Sequence, residues 1–77
     1  SFDKLIQEYS GGTDDERALR AQAMYWAGDA SFRVGDHKNA YLYFKRNVFE
    51  YPETEWARRS RGMLWQESKA FESLENL

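Results

Sequence analysis

Residues 20–51, RAQAMYWAGDASFRVGDHKNAYLYFKRNVFEY, contain two runs of apolar side chains at helical spacing, separated by the turn VGDH at residues 34–37. Apolar side chains that recur every three or four residues are typical of amphipathic helices. A connection this short makes the second helix return antiparallel to the first. The stretch therefore predicts a helical hairpin, and the only proline, Pro52, follows it directly.

The first helix of this hairpin is predicted over about 14–34. Thr13 and Glu16 have the spacing of a capping box, and Gly35 is placed to close the helix in a left-handed conformation. Gly28 costs roughly 1 kcal/mol relative to alanine inside a helix, which predicts a close packing contact there. The predicted buried face is the apolar stripe Leu19, Ala23, Trp26, Ala27, Ala30 and Val34.

The second helix is predicted to begin after Asp36, whose side chain can cap it, and to end at about residue 51 before Pro52. Its apolar side chains cover more than half of its circumference, which indicates neighbours on two sides. The main line is Ala40, Phe44, Val48 and Tyr51, and Tyr41, Tyr43 and Phe49 widen it.

Two further helices are predicted outside the hairpin. A helix over about 55–75, capped by Thr54 or Glu53, has one line of Ala57, Leu64 and Phe71. An adjacent line holds Trp56, Met63, Ala70, Leu74 and Leu77, with Trp65 between the two. A short helix over about 2–9 has the stripe Phe2, Leu5, Ile6 and Tyr9 and ends at Ser10-Gly11-Gly12. Because eight residues do not form a lasting helix alone, this segment is expected to dock on the part of the chain after it.

The composition limits which folds and functions are possible for this chain. The chain has 77 residues, no cysteine, 17% aromatic residues and a net charge of -2. One small domain without disulfides must be stabilised by packing of its aromatic side chains. A slight acidic excess argues against a general nucleic-acid binder, and no apolar run is long enough for direct membrane insertion.

Internal matches suggest a repeat. Residues 2–9 match residues 44–51 in type at five positions, and residues 24–26 recur as residues 63–65. Chance similarity between amphipathic helices is the alternative explanation, but the shared order of helix, turn and helix favours a repeat.

The hairpin resembles a tetratricopeptide repeat (TPR). Gly28 occupies its glycine position, Ala40 and Phe44 its A-x3-F pair, and Pro52 its proline position, while Gly62 follows Gly28 by one repeat length. The tryptophan, leucine and tyrosine positions depart from the pattern, since they hold Met24, Ala27 and Ser31. The resemblance implies an all-α, antiparallel helix-turn-helix solenoid fragment, with three long helices or with two long helices and flanking ones. Residues 1–12 would be a trailing helix, 13–54 the complete repeat and 55–77 a leading or capping helix.

Residues 23–29 read A-x-Y-x-A-G-D, and residues 44–57 read F-x6-Y-P-x-T-x-W-A. In these motifs the repeat most resembles bacterial cell-envelope TPR proteins, such as the coordinator of the Tol-Pal system and outer-membrane assembly lipoproteins. That likeness favours a periplasmic or envelope setting, although cytoplasmic scaffolds carry similar repeats. The compartment therefore stays open.

In the TPR family the first helix of each pair lines a concave binding surface. Carried over, this resemblance implies that a peptide or protein partner contacts Gln22, Tyr25, Asp29, Arg33, Arg59 and Met63. Phe32, Trp56 and Gln66 also fall on these positions. For Phe32, Trp56 and Met63, ordinary contacts within the core or between helices are the favoured interpretation.

Sequence motifs for catalysis are missing from the chain, and we expect neither an enzyme nor a cofactor or metal. His37 is the only histidine, and no phosphate loop, nucleophile elbow or metal-ligand spacing occurs. Capping accounts for the acidic run at residues 14–16. The basic positions Lys45, Arg46, Arg58, Arg59 and Arg61 are expected to be a solvated face that forms ion pairs with Glu50, Glu53 and Glu55. The alternative is a patch that binds an acidic partner or a phosphate backbone. The alternative function is a structural module that forms a homo-oligomer through its open solenoid ends.

Overall fold

The computed structural model describes residues 13–75, and all of its regular structure there is helical. Four helices follow one another: α1 (Asp14–Arg33), α2 (His37–Glu50), α3 (Glu55–Gln66) and α4 (Ser68–Glu75). This confirms the all-α prediction. The predicted helix over residues 2–9 lies outside the described residues. Within the described part of the chain, no helix is long and apolar enough to cross a lipid bilayer.

Side-chain caps fix the start of the three longer helices. Thr13 accepts a hydrogen bond from the Glu16 backbone N–H at 3.2 Å, and Asp36 accepts one from the Asn39 N–H at 3.2 Å. Thr54, rather than Glu53, caps α3, because its hydroxyl oxygen accepts from the Ala57 N–H at 3.1 Å. Each cap satisfies one of the N–H groups that a helix start leaves unpaired.

The reversal between α1 and α2 depends on Gly35, which adopts a φ of 86°. Its N–H donates to the Phe32 carbonyl at 3.0 Å, and the Asp36 N–H donates to the Ser31 carbonyl at 2.8 Å. These two bonds form a Schellman motif, which requires a left-handed residue that glycine adopts without steric cost. The predicted helix end is therefore confirmed.

The buried face of α1 differs from the prediction. The helix buries Ala21 and Gly28, with Tyr25 and Phe32 packed against the core on the same side. The predicted stripe lies largely on the opposite side, where Leu19 is 64% and Val34 80% exposed and Ala23, Trp26 and Ala30 are also exposed. The physical reason is that Tyr25 and Phe32 place two large rings on the core side, whereas Trp26 is the only ring of the predicted stripe and is itself partly covered by Tyr25 and Trp56.

The crossing of α1 and α2 is set by Gly28 and Phe44. The Phe44 ring is fully buried, and a Cβ added to Gly28 would lie 2.7 Å from the ring atom Cε1. The ring therefore rests directly on the α1 backbone, which confirms the packing contact expected at Gly28. Ala40 and Phe71 complete the core around Phe44.

The rest of α2 follows the prediction except at its outer edge. Ala40, Phe44 and Tyr51 are buried and Val48 is half-buried, as the main line predicts. The pattern predicts that Phe49 widens this face, but its side chain is 75% exposed. It lies instead beside Lys45, whose ammonium nitrogen is 5.6 Å from the ring centroid.

A buried side-chain amide joins three helices. Asn47 on α2 is fully buried, and its Nδ2 donates to the Ala21 carbonyl of α1 at 2.9 Å and to Ser60 Oγ of α3 at 3.0 Å. Within the described residues, its Oδ1 has no hydrogen-bond partner. The bonds fix the relative position of α1, α2 and α3 at one point.

The predicted single helix over 55–75 is interrupted at Glu67, which separates α3 from α4. The Glu67 N–H still donates to the Met63 carbonyl at 2.9 Å, and the Ala70 N–H then bonds the Glu67 carbonyl at 3.0 Å. Phe71 on α4 is fully buried against Phe44 and Tyr41. Its burial, which contributes about 1.5–3 kcal/mol, follows the predicted line of Ala57, Leu64 and Phe71.

Arg17 ties the start of α1 to the end of α2. Its Nε donates to Glu53 Oε1 at 2.5 Å, and its Nη2 donates to the Glu50 carbonyl at 2.5 Å. The guanidinium carbon also lies 4.9 Å from the centroid of the Tyr51 ring. A cation at the C-terminal end of a helix satisfies an unpaired carbonyl, so this contact closes the open end of the hairpin.

Substitution of the two helical glycines by alanine should have opposite effects on stability. Gly28→Ala gains about 1 kcal/mol of helix propensity but forces the buried Phe44 ring to move, which costs about 1–3 kcal/mol. We expect a net loss for Gly28→Ala. Gly62→Ala should gain about 0.5–1 kcal/mol, because a Cβ there meets nothing within 4 Å. Urea denaturation followed by circular dichroism measures both, and stabilisation by both changes would contradict the packing at Gly28.

The acid stability of the chain should depend on Glu53. Hydrogen bonding from Arg17 lowers the pKa of the Glu53 carboxyl from its ordinary value of 4.5. The unfolded chain therefore binds the proton more readily, and the stabilisation is present above pH 4.5 and is lost as the pH falls through the folded pKa. Glu53→Gln should flatten the fall in free energy of unfolding on acidification. In an Arg17→Met background the same change should have no such effect, and an equal flattening in both backgrounds would contradict the pairing.

Candidate functional site

The most prominent exposed feature is a cluster of aromatic rings where α1 and α3 lie side by side. The centroid of the Tyr25 ring is 5.2 Å from that of Trp26 and 5.6 Å from that of Trp56. The two tryptophan centroids are 6.1 Å apart. Tyr25 and Trp56 are half-buried and Trp26 is 49% exposed, so the cluster is in part open to solvent.

The inner side of this cluster rests on the core. The Tyr25 ring lies 5.9 Å from the ring of the fully buried Phe44, centroid to centroid. The buried Phe44 ring therefore supports the Tyr25 ring, and Tyr25 in turn contacts both Trp26 and Trp56. Rings that are fixed before a ligand arrives lose little conformational freedom on binding.

Arg59 extends the cluster along α3. Its guanidinium carbon lies 4.9 Å from the centroid of the Trp56 ring, a cation–π contact. Its ion pair with Glu55, one turn earlier, measures 4.0 Å, which is too long for a hydrogen bond. The ring thus orients the guanidinium, while its N–H groups remain able to bind a carboxylate.

Asp29 and Arg33 form an ion pair on α1, with Arg33 Nε 3.1 Å from Asp29 Oδ2. Arg33 is exposed and Asp29 is half-buried. Gln22, which is half-buried, lies two turns before Asp29 and therefore on the same side of α1. We use the name front face for these exposed and half-exposed side chains of the two helices: Gln22, Tyr25, Trp26, Asp29, Arg33, Trp56 and Arg59.

Five of the six residues predicted to contact a partner lie on this front face. Met63 is the sixth, and the structure packs it against the core cluster of Ala40, Phe44 and Phe71. Phe32 also belongs to the interior: its ring is 5.8 Å from Phe71 and stacks on the His37 ring at 4.9 Å. The expectation of ordinary core contacts agrees with this placement of Phe32 and Met63. Trp56, for which the same interpretation is favoured, makes inter-helix contacts with Tyr25 and Trp26 rather than core contacts.

Trp26 belongs to the predicted buried stripe of α1, yet it lies on the front face. Its position on the helix could have shown this. At about 100° per residue, Trp26 lies only about 40° from Gln22 around α1, and about 140° from Ala21 at the centre of the core face. The sequence pattern places the residue correctly once the direction of the core is known.

The predicted basic stretch is divided between different surfaces. Arg46 pairs with Glu50 at 3.4 Å and Arg59 approaches Glu55 at 4.0 Å, which matches two of the expected exchanges. Glu53 instead binds Arg17 on α1. Exposed pairs of this kind contribute about 0–1 kcal/mol each.

The front face carries charges of both signs beside aromatic surface. Among residues 13–75, no three His, Asp or Glu side chains are grouped closely enough to hold a metal ion. The available chemistry is stacking on the rings, hydrogen bonding to Gln22 and Asp29, and carboxylate binding by Arg33 and Arg59.

No family model matches the chain, and comparisons with curated proteins and with solved structures find no significant similarity.

Proposed function

We propose that the chain is a non-catalytic protein-interaction module that binds a peptide or protein segment through the front face. The observation that carries this proposal is the half-exposed ring cluster of Tyr25, Trp26 and Trp56, with Arg59 stacked on Trp56. Tyrosine, tryptophan and arginine are the side chains that most often dominate binding energy at protein interfaces.

The contacts around the cluster indicate the kind of partner. An apolar side chain of the partner would cover Trp26, and a carboxylate one or two residues away would reach Arg59 or Arg33. Asp29 would accept a hydrogen bond from a backbone N–H or an amide. The partner segment is therefore expected to combine an aromatic or aliphatic residue with a nearby aspartate or glutamate.

The TPR-like architecture is part of this proposal. Its support is the antiparallel pair α1–α2 closed at Gly35, the Phe44 ring against Gly28, and the position of α3 beside α1. In such an arrangement the first helix of each pair lines a shared surface. The front face, formed by α1 and α3, corresponds to that surface.

Peptides selected from a random display library against the full chain should bind at the front face. The two test variants are Trp26→Ala and Arg59→Ala. Each should weaken a selected peptide at least about tenfold, as expected for truncation of a central interface residue. Affinity is measured by isothermal titration calorimetry, with the circular dichroism spectrum as a check on folding.

Matched controls lie elsewhere on α3. Trp65 is 83% exposed, and nine residues at about 100° each place it half a turn away from Trp56. Trp65→Ala and Arg58→Ala remove the same residue types and should leave affinity within about twofold. Selected peptides that lose affinity with Trp65→Ala but not with Trp26→Ala would contradict the proposal.

Self-association is the second candidate function, and the exposure of Trp65 favours it. A tryptophan that is 83% exposed beside the basic side chains of α3 is a candidate contact with another copy. Sedimentation equilibrium distinguishes the two functions. A partner-binding module stays monomeric, whereas a self-assembling one forms dimers that Trp65→Ala abolishes.

A further inference from the structure

The side of α1 that faces away from the core carries an apolar surface. We call it the back stripe, and it consists of Leu19, Ala23, Ala30 and Val34, with the half-buried Ala27 at its edge. Leu19 is 64% and Val34 80% exposed. A helix face open to water normally carries polar residues, so an apolar stripe opposite the core indicates a second packing partner.

The back stripe is shaped for the close approach of another helix. Its middle positions are alanines, the larger side chains Leu19 and Val34 lie towards its two ends, and Trp26 borders it on the side of the front face. Small side chains in the middle allow bulky side chains of a partner to pack near the α1 backbone. Within the described residues, α2 and α3 contact α1, and α4 contacts α2 and α3. Leu19, Ala23, Ala30 and Val34 remain exposed.

Residues 2–9 have the complementary pattern. They carry Phe2, Leu5, Ile6 and Tyr9 at positions i, i+3, i+4 and i+7, all of them large where the stripe is small. In helical form their length would be about 12 Å, against about 16 Å from Leu19 to Ala30 along α1. The bulky side chains of residues 2–9 and the alanines of the back stripe are therefore complementary in size.

The connection between the two surfaces has a suitable length. Residues 10–12 join residue 9 to Thr13, which caps the first turn of α1. This linker with Thr13 reaches up to about 13 Å when extended, and Leu19 lies about 9 Å along the helix from Thr13. The two glycines of the linker permit the reversal that an antiparallel approach needs.

We propose that the back stripe is the docking surface for residues 2–9 of the same chain. A second copy of the chain is the competing occupant. The tethered segment is favoured because a short flexible linker gives an effective concentration in the millimolar range, above that of a second copy in dilute solution. Docking there leaves Tyr25, Trp56 and Arg59 of the front face uncovered, whereas Trp26 borders both surfaces. The proposal does not rest on the proposed function, because thiol pairing tests the docking and peptide affinity tests the front face.

The chain contains no cysteine, which allows a direct test by engineered pairs in the full-length protein. The test variant combines Ile6→Cys with Ala23→Cys, and the control combines Ile6→Cys with Phe49→Cys, an exposed position on α2. The effective concentration of each thiol pair is measured in a glutathione redox buffer. The pair on the back stripe should exceed the control at least about tenfold within monomers.

A third variant probes the apolar nature of the contact. Adding Leu19→Asp to the Ile6→Cys, Ala23→Cys protein places a charge within the proposed contact and should lower the effective concentration to that of the control. Equal effective concentrations for the two original pairs would overturn the proposal. Disulfides that form between molecules would overturn it in favour of a second copy.

Discussion

The arrangement of the first three helices depends on the buried side chain of Asn47. Its Nδ2 group bonds a backbone carbonyl of α1 and the Ser60 hydroxyl of α3, while its own backbone belongs to α2. The two bonds contribute about 0.5–1.5 kcal/mol each. Oδ1 has no hydrogen-bond partner among the described residues, which offsets part of that gain. The amide chiefly constrains position, because α1 and α3 must both lie within hydrogen-bond distance of it for the two bonds to form.

Stability comes from the aromatic core instead. Phe44 and Phe71 are fully buried, and each contributes about 1.5–3 kcal/mol by leaving water. Gly28 lets Phe44 approach the α1 backbone, and Phe71 of α4 packs against Phe44 in the same core. The result is that α1 presents three different sides: a core side, a front face with rings and charges, and an apolar back stripe. The two outer sides carry the two interaction proposals.

Much of this fold could be predicted from local patterns. The caps at Thr13, Asp36 and Thr54, the left-handed Gly35 and the end of α2 before Pro52 depend on interactions within a few residues. The break at Glu67 was not predicted, because neither glycine nor proline occurs at residues 66–68. The predicted direction of the α1 core face was also wrong, because a count of apolar residues gives Val34 and Ala30 the same weight as Tyr25 and Phe32. The Arg17–Glu53 pair joins residues far apart in sequence and has no local pattern.

The most direct test of the three-helix arrangement is a nuclear Overhauser measurement on the side-chain amide protons of Asn47. The structure predicts cross-peaks from these protons to Ala21 of α1 and to Ser60 of α3. It also predicts slow exchange of these protons with water, since the side chain is 0% exposed. Cross-peaks to only one of the two helices, or rapid exchange with water, would contradict the arrangement on which both proposed surfaces depend.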